Sequence, residues 1–130
     1  MMTIAYWCIL LACLLPWFSI GYAKFLAPKA AFSEFDNEAP RDFLLQLEND
    51  RKRAVWAEKN TYEALPLFIA AVLVAHQAGA DQYLINVLAV LFVVLRVIYI
   101  GLYIANLATL RTVVWTAAIG CSFGMFLISI

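Results

Sequence analysis

The sequence predicts an all-α membrane protein, a bundle of four transmembrane helices, and three observations carry that prediction. Hydrophobic residues make up 65% of the 130-residue chain, and the mean hydropathy is +0.85. Soluble domains are only about 45–50% apolar, so lipid is the solvent that fits this composition. The apolar residues lie in long runs almost free of charge. Most of the basic residues are gathered in a single stretch between two of those runs.

The runs can be taken in order. Met1 to Ala23 and Thr112 to Ile130 hold no charged residue, nor does Ala64 to Ala80, and Gln82 to Leu110 is interrupted only by Arg96. A helix needs about 20 apolar residues to cross the hydrocarbon core, which places spans near 3–23, 61–80, 83–108 and 112–130. Backbone groups in hydrocarbon must be satisfied within their own segment, so the runs are helices. The alternating pattern of a membrane barrel is missing. The first run has no preceding Lys or Arg and is long for a cleavable signal, so it reads as a span. Residues 1–130 are expected to form one membrane domain. Pro16 and Pro66 fall within or near spans and are expected to kink them.

Charge sets the expected orientation. Eight of the nine Lys and Arg residues lie outside the apolar runs. Seven of these, from Lys24 to Lys59, lie in the 24–60 connection, and Arg111 lies between spans three and four. The positive-inside rule puts both connections in the cytosol and both termini outside. The connection itself reads as irregular chain from Phe25 to Pro40, then as an amphipathic helix from Arg41 running into span two. Glu48 and Lys52 are expected to pair on that helix at i,i+4.

Other chemistry is excluded or absent. The formal net charge is zero, so nothing suggests nucleic acid. Cys8, Cys13 and Cys121 lie in apolar runs with no ligand spacing, and His76 has no companion ligand, so no metal site is expected. Gly120 and Gly124 form a GxxxG pair, with Thr116 on the same face. Together with Gly101 and Ala105 on span three, they predict close helix packing.

Two helix faces carry the polar residues. Arg53, Trp56, Asn60 and Glu63 fall within an arc of roughly 80°, as do Arg96, Tyr99, Tyr103 and Asn106 on span three. An arginine near the middle of a span costs about 2.5–3.5 kcal/mol on insertion scales and therefore needs a partner. Glu63 is the only acidic residue at comparable depth and is the expected partner of Arg96. The remaining groups supply donors and cationic charge suited to a small anionic, peptide-like ligand.

These residues also carry a resemblance. Arg53-Ala54 followed by Asn60-Thr61-Tyr62-Glu63-Ala64-Leu65-Pro66-Leu67-Phe68 is similar to the second-helix signature of the MAPEG family, the membrane-associated proteins of eicosanoid and glutathione metabolism. Arg96-Val97-Ile98-Tyr99, Tyr103 and Arg111-Thr112 resemble its third-helix signature, and Asp36-Asn37 to Pro40-Arg41 resembles the first connection of bacterial members. The resemblance covers essentially the whole chain. It implies a homotrimer of four-helix bundles in a bacterial inner membrane, with glutathione held between subunits near the cytosolic face. It further implies that Arg53, Asn60, Glu63, Arg96, Tyr99 and Tyr103 contact glutathione. Arg111 would activate the glutathione thiol, since a guanidinium favours the thiolate.

The implied activity is glutathione-dependent transfer or peroxide reduction on hydrophobic electrophiles or lipid hydroperoxides delivered by the membrane. Two departures point to an alternative, a non-enzymatic lipid-binding or accessory protein of the same family. Trp56 stands where catalytic members often have arginine, and Ala64 stands where leukotriene synthases have tyrosine. A small transporter subunit has little support, because no charged path crosses the four spans.

Overall fold

The computed structural model describes all 130 residues, and every regular element is a helix, with no strand. Five α-helices follow in order: α1 (Ile4–Gly21), α2 (Pro40–Leu45), α3 (Asn49–Gln77), α4 (Gln82–Ile104) and α5 (Ala108–Leu127). Three segments are long and apolar enough to cross a membrane: Ile4–Leu26, Gln82–Ile104 and Ala108–Leu127. The run expected to form span two lies in α3, whose polar Asn60, Glu63, His76 and Gln77 keep it out of that group.

The four long helices pack on one another, α3 and α4 each touching the other three. Small side chains make this close approach possible. Ala5 and Ala12 on α1, Ala64, Ala71 and Ala75 on α3, Ala89 on α4 and Ala118 on α5 are all buried in one core. Phe68 and Phe92 stack face to face within it, ring centroids 3.9 Å apart. The glycines contribute less than expected. Gly124 meets Leu88 of α4, but Gly101 and Gly120 have open space where a side chain would go. Helices α1 and α3 run through Pro16 and Pro66 without ending.

The connection after α1 departs from irregular chain. Five residues, Tyr22–Leu26, continue α1 as a π-helical turn, and Phe32–Glu34 forms a short 3₁₀ turn. The expected continuous helix from Arg41 is in fact two. Helix α2 stops at Leu45, and Asn49 at the start of α3 takes φ of 53°, a left-handed conformation that asparagine tolerates better than most residues. That break also removes the expected Glu48–Lys52 pair. The Lys52 ammonium instead lies 5.6 Å from the centre of the Trp56 ring.

Helix α3 is fixed to α1 at the polar end of the bundle. Buried Ser19 donates to the Ala54 carbonyl at 2.7 Å, and the Tyr22 hydroxyl donates to Asp50 at 2.8 Å. This second bond, more than any other influence, holds the Asp50 carboxyl below its usual range. Arg51 donates to the Ala23 carbonyl at 2.7 Å and pairs with Glu34 at 3.3 Å. At the opposite end, His76 stacks on Tyr6. Its Nδ1 lies 2.8 Å from the Val72 carbonyl and its Nε2 3.0 Å from the Thr3 hydroxyl. Since a carbonyl can only accept, Nδ1 carries the proton and Nε2 accepts from Thr3. That histidine is a structural tie between α1 and α3.

Candidate functional site

The site forms where the N-terminal half of α3 meets the C-terminal end of α4 and the first turn of α5. Its base is Arg96, which is 0% exposed. The ion pair expected with Glu63 is not formed: the chain's single ion pair is Arg51–Glu34. Arg96 Nη2 donates instead to Asn60 Oδ1 at 3.1 Å and to Thr61 Oγ1 at 2.8 Å. Helical geometry explains the substitution. Thr61, Ala64, Leu65 and Phe68 are buried and mark the inward face of α3. Glu63 follows Thr61 by two residues, about 200° around the helix, and is exposed.

Arginine has donors only, so its bond to Asn60 fixes the amide. Oδ1 faces Arg96, and the Nδ2 hydrogens remain for the surface. Above Arg96 the aromatic residues of α4 form a ladder. The Arg96 guanidinium lies 4.1 Å from the Tyr99 ring centre, and Tyr99 meets Tyr103 edge to face at 5.6 Å. The Arg111 guanidinium then lies 4.1 Å from the centre of Tyr103. Such contacts contribute roughly 0.5–1 kcal/mol each at exposed sites and more when desolvated. The ladder leads from a buried cation to one at the surface. Arg111 belongs to the first turn of α5 and not to a loop, which gives its side chain a defined direction.

Two concavities flank this ladder and share Asn60 and Tyr103. One, about 450 Å³, is lined by Trp56, Lys59, Asn60, Glu63 and Tyr103. The other, about 290 Å³, is lined by Asn60, Tyr99, Tyr103, Arg111, Thr112 and Trp115. The structure therefore brings Asn60, Glu63, Tyr99, Tyr103 and Arg111 to one surface. It presents them with donor groups from Asn60, Arg111 and Lys59 beside one acceptor, Glu63. Such a surface favours a ligand that carries carboxylate or carbonyl acceptors and an ammonium group.

Three expected residues do not line it. Arg96 lies beneath, holding Asn60 in place. Arg53 donates to the Ile104 carbonyl at 2.9 Å, where it caps the C-terminus of α4. Asn106 is not on the α4 face at all: the helix ends at Ile104, and Asn106 forms the turn with φ of 62°. Conversely, Thr61, Thr112 and Trp115 belong to the site's surroundings without having been singled out. Trp115 follows Arg111 by four residues, the spacing that stacks two side chains on one helix face.

The profile of the MAPEG family matches the chain over residues 4–130. No curated protein and no solved structure matches it. The match spans all four long helices and the site between them, and together with three helices long and apolar enough to cross a membrane it makes the chain an integral membrane protein. The chain belongs to the MAPEG family.

Proposed function

We propose that this protein is a glutathione-dependent transferase or peroxidase that acts on hydrophobic electrophiles or lipid hydroperoxides at the membrane. The observation that supports the reading most is the placement of Arg111 against Tyr103, beside an Asn60 amide whose orientation Arg96 dictates. Glutathione carries two carboxylates, two peptide carbonyls and one ammonium. It matches a surface with several donors and a single carboxylate, Glu63. In this reading Asn60, Glu63, Tyr99 and Tyr103 hold the tripeptide. Arg111 stabilises the thiolate, which displaces the leaving group of an electrophile, or attacks a peroxide oxygen and breaks the O–O bond. The second route releases the alcohol and leaves a glutathione sulfenic acid that a second glutathione converts to the disulfide and water. Arg96 and Arg53 act through others, Arg96 by orienting Asn60 and Arg53 by fixing the end of α4.

The assembly that goes with this reading is a homotrimer of four-span bundles in a bacterial inner membrane, with both termini outside. The two concavities are open to the surface, so a neighbouring copy would complete them. The polar half of α3 would then lie on the cytosolic side, where glutathione is available, while lipid delivers the apolar substrate. Trp56 favours a second reading, a lipid-binding accessory protein. Its ring lies 6.4 Å from Tyr103 and is 44% exposed, an apolar wall where a cation would serve an anionic ligand better.

Titration of purified protein in detergent with glutathione, followed by turnover assays with a lipid hydroperoxide and an aryl halide, separates these readings. Saturable binding with turnover supports the enzyme. Binding without turnover favours the accessory protein. Absence of binding by the intact trimer rejects the glutathione site.

A further inference from the structure

Helices α4 and α5 are joined by Ala105, Asn106 and Leu107 alone. A helix leaves its last four carbonyls without donors of its own, and in α4 all four are accounted for. Gly101 accepts from the Ala105 amide at 2.9 Å, Leu102 from Leu107 at 3.0 Å and Tyr103 from Asn106 at 3.1 Å. The nested pair, Leu107 to Leu102 and Asn106 to Tyr103, is a Schellman closure, which puts Asn106 in the left-handed conformation with φ of 62°. No backbone amide reaches the fourth carbonyl, that of Ile104. Its donor is Arg53 Nε, which arrives from α3 at 2.9 Å.

The same turn starts α5. Leu107 is its N-cap residue, and the Leu107 carbonyl accepts from the Arg111 amide at 3.0 Å. One backbone conformation, at Asn106, and one side-chain bond, from Arg53, therefore set the direction of the first turn of α5. The far end of the α4–α5 pair is fixed separately, where Gly124 meets Leu88. From that first turn Arg111 reaches back to lie 4.1 Å from the Tyr103 ring centre. Attraction between a guanidinium and a thiolate falls with their separation, so a small rotation of this turn changes the charge felt at sulfur.

We infer that Arg53 and Asn106 are positioning residues for Arg111: together they hold the α4–α5 turn in the geometry that sets the Arg111 guanidinium on Tyr103. The inference rests on the proposed action of Arg111 on the glutathione thiol. Its two residues can be probed by different chemistry. At position 53 lysine can still donate to the Ile104 carbonyl, whereas methionine keeps an unbranched aliphatic stem without a donor. At position 106 glycine adopts the left-handed φ without strain and alanine does not. The Asn106 variants alter no charge, so they separate the geometry of the turn from any long-range effect of the Arg53 cation on sulfur.

The test is an ultraviolet pH titration of the thiol of glutathione bound at saturation to the intact protein in detergent. Amide hydrogen exchange across residues 104–111 of the ligand-free protein accompanies it. Arg53→Met and Asn106→Ala should each raise the apparent pKa of the bound thiol by roughly one pH unit, a tenfold loss of thiolate stabilisation. Glutathione affinity should be retained, and exchange across the turn should quicken. Asn106→Gly should titrate like the wild type, and Arg53→Lys should fall between the wild type and Arg53→Met. If Arg53→Met and Asn106→Ala titrate like the wild type while Arg111→Ala is shifted, the inference is overturned and the role of Arg111 stands. Equal shifts in Asn106→Gly and Asn106→Ala would overturn it too, since the left-handed conformation would then not be what holds Arg111. If Arg111→Ala itself titrates like the wild type, the thiolate role fails first and takes the inference with it. Should Arg53→Met not fold, the two Asn106 variants and Arg53→Lys decide the matter on the same readouts.

Discussion

Arg96 shows how much one residue can determine and how its partner is chosen. A guanidinium placed among apolar residues must find acceptors within a few ångströms, and here it finds Asn60 and Thr61. Removing Asn60 leaves Arg96 one acceptor short in a buried setting. Asn60→Leu should therefore lower stability by about 1.5–3 kcal/mol, the range for hydrogen bonds to charged groups. Glu63→Gln should leave stability within about 0.5 kcal/mol, because Glu63 is exposed and outside any ion pair. Thermal unfolding in detergent checks both, and a large loss from Glu63→Gln would restore the ion pair that the sequence suggests. That Arg96 is buried and partnered was legible from its place in an apolar run. Which partner it takes was not. Glu63 lies at a similar depth, and only the facing of α3, a difference of two residues along the helix, separates it from Thr61.

At the scale of elements, periodicity carried most of the information. The apolar runs 3–23, 83–108 and 112–130 overlap α1, α4 and α5, but α4 ends at Ile104, four residues before its run does, and α5 begins at Ala108, four residues before its own. Arg96, Tyr99 and Tyr103 fell on one face because three- and four-residue spacing imposes it. Sequence reasoning failed where a helix stops. Neither break has a proline or glycine: Asn49 and Asn106 adopt left-handed conformations that a helical reading would carry straight through. The first break is testable, since glycine accepts that φ freely and a β-branched residue does not. Asn49→Gly should preserve stability, whereas Asn49→Val should cost on the order of 1–3 kcal/mol. Equal stability of the two would mean that α2 and α3 are continuous. The Tyr22–Asp50 bond between the end of α1 and α3 gives a pH-dependent prediction. The Asp50 carboxyl is depressed in the folded protein. Its stabilising contribution is therefore present above the unfolded pKa and is lost as pH falls through the lower folded value. Tyr22→Phe should be destabilised at neutral pH, and its deficit relative to wild type should shrink on acidification. A deficit independent of pH would show that the phenol acts only through packing.

For the whole molecule, the polar and apolar ends of the bundle assign the roles. Basic residues cluster at the end that carries the two concavities, while the His76 tie and the Gly79 turn occupy the other. The positive-inside rule then predicts that a reporter fused after Ile130 is extracytosolic, and a cytosolic reporter would place the site on the face without glutathione. Overall class was legible because composition and run length speak directly of lipid. For the assembly the sequence offers only the family resemblance, since residues that meet across subunits leave no period in one chain, and open Gly101 and Gly120 fit a partner helix as well as they fit lipid. The central claim is that Arg111, held on the Tyr103 ring at this end, turns bound glutathione into a nucleophile. The most direct test is the ultraviolet thiolate absorbance of glutathione bound to the wild type and to Arg111→Ala, at ligand concentrations that saturate each. The account predicts thiolate on the wild type and its loss from Arg111→Ala with glutathione affinity retained, since the variant removes a group acting on sulfur and spares those that hold the tripeptide. Equal thiolate absorbance in the two proteins, or none in a wild type that binds glutathione, would contradict it.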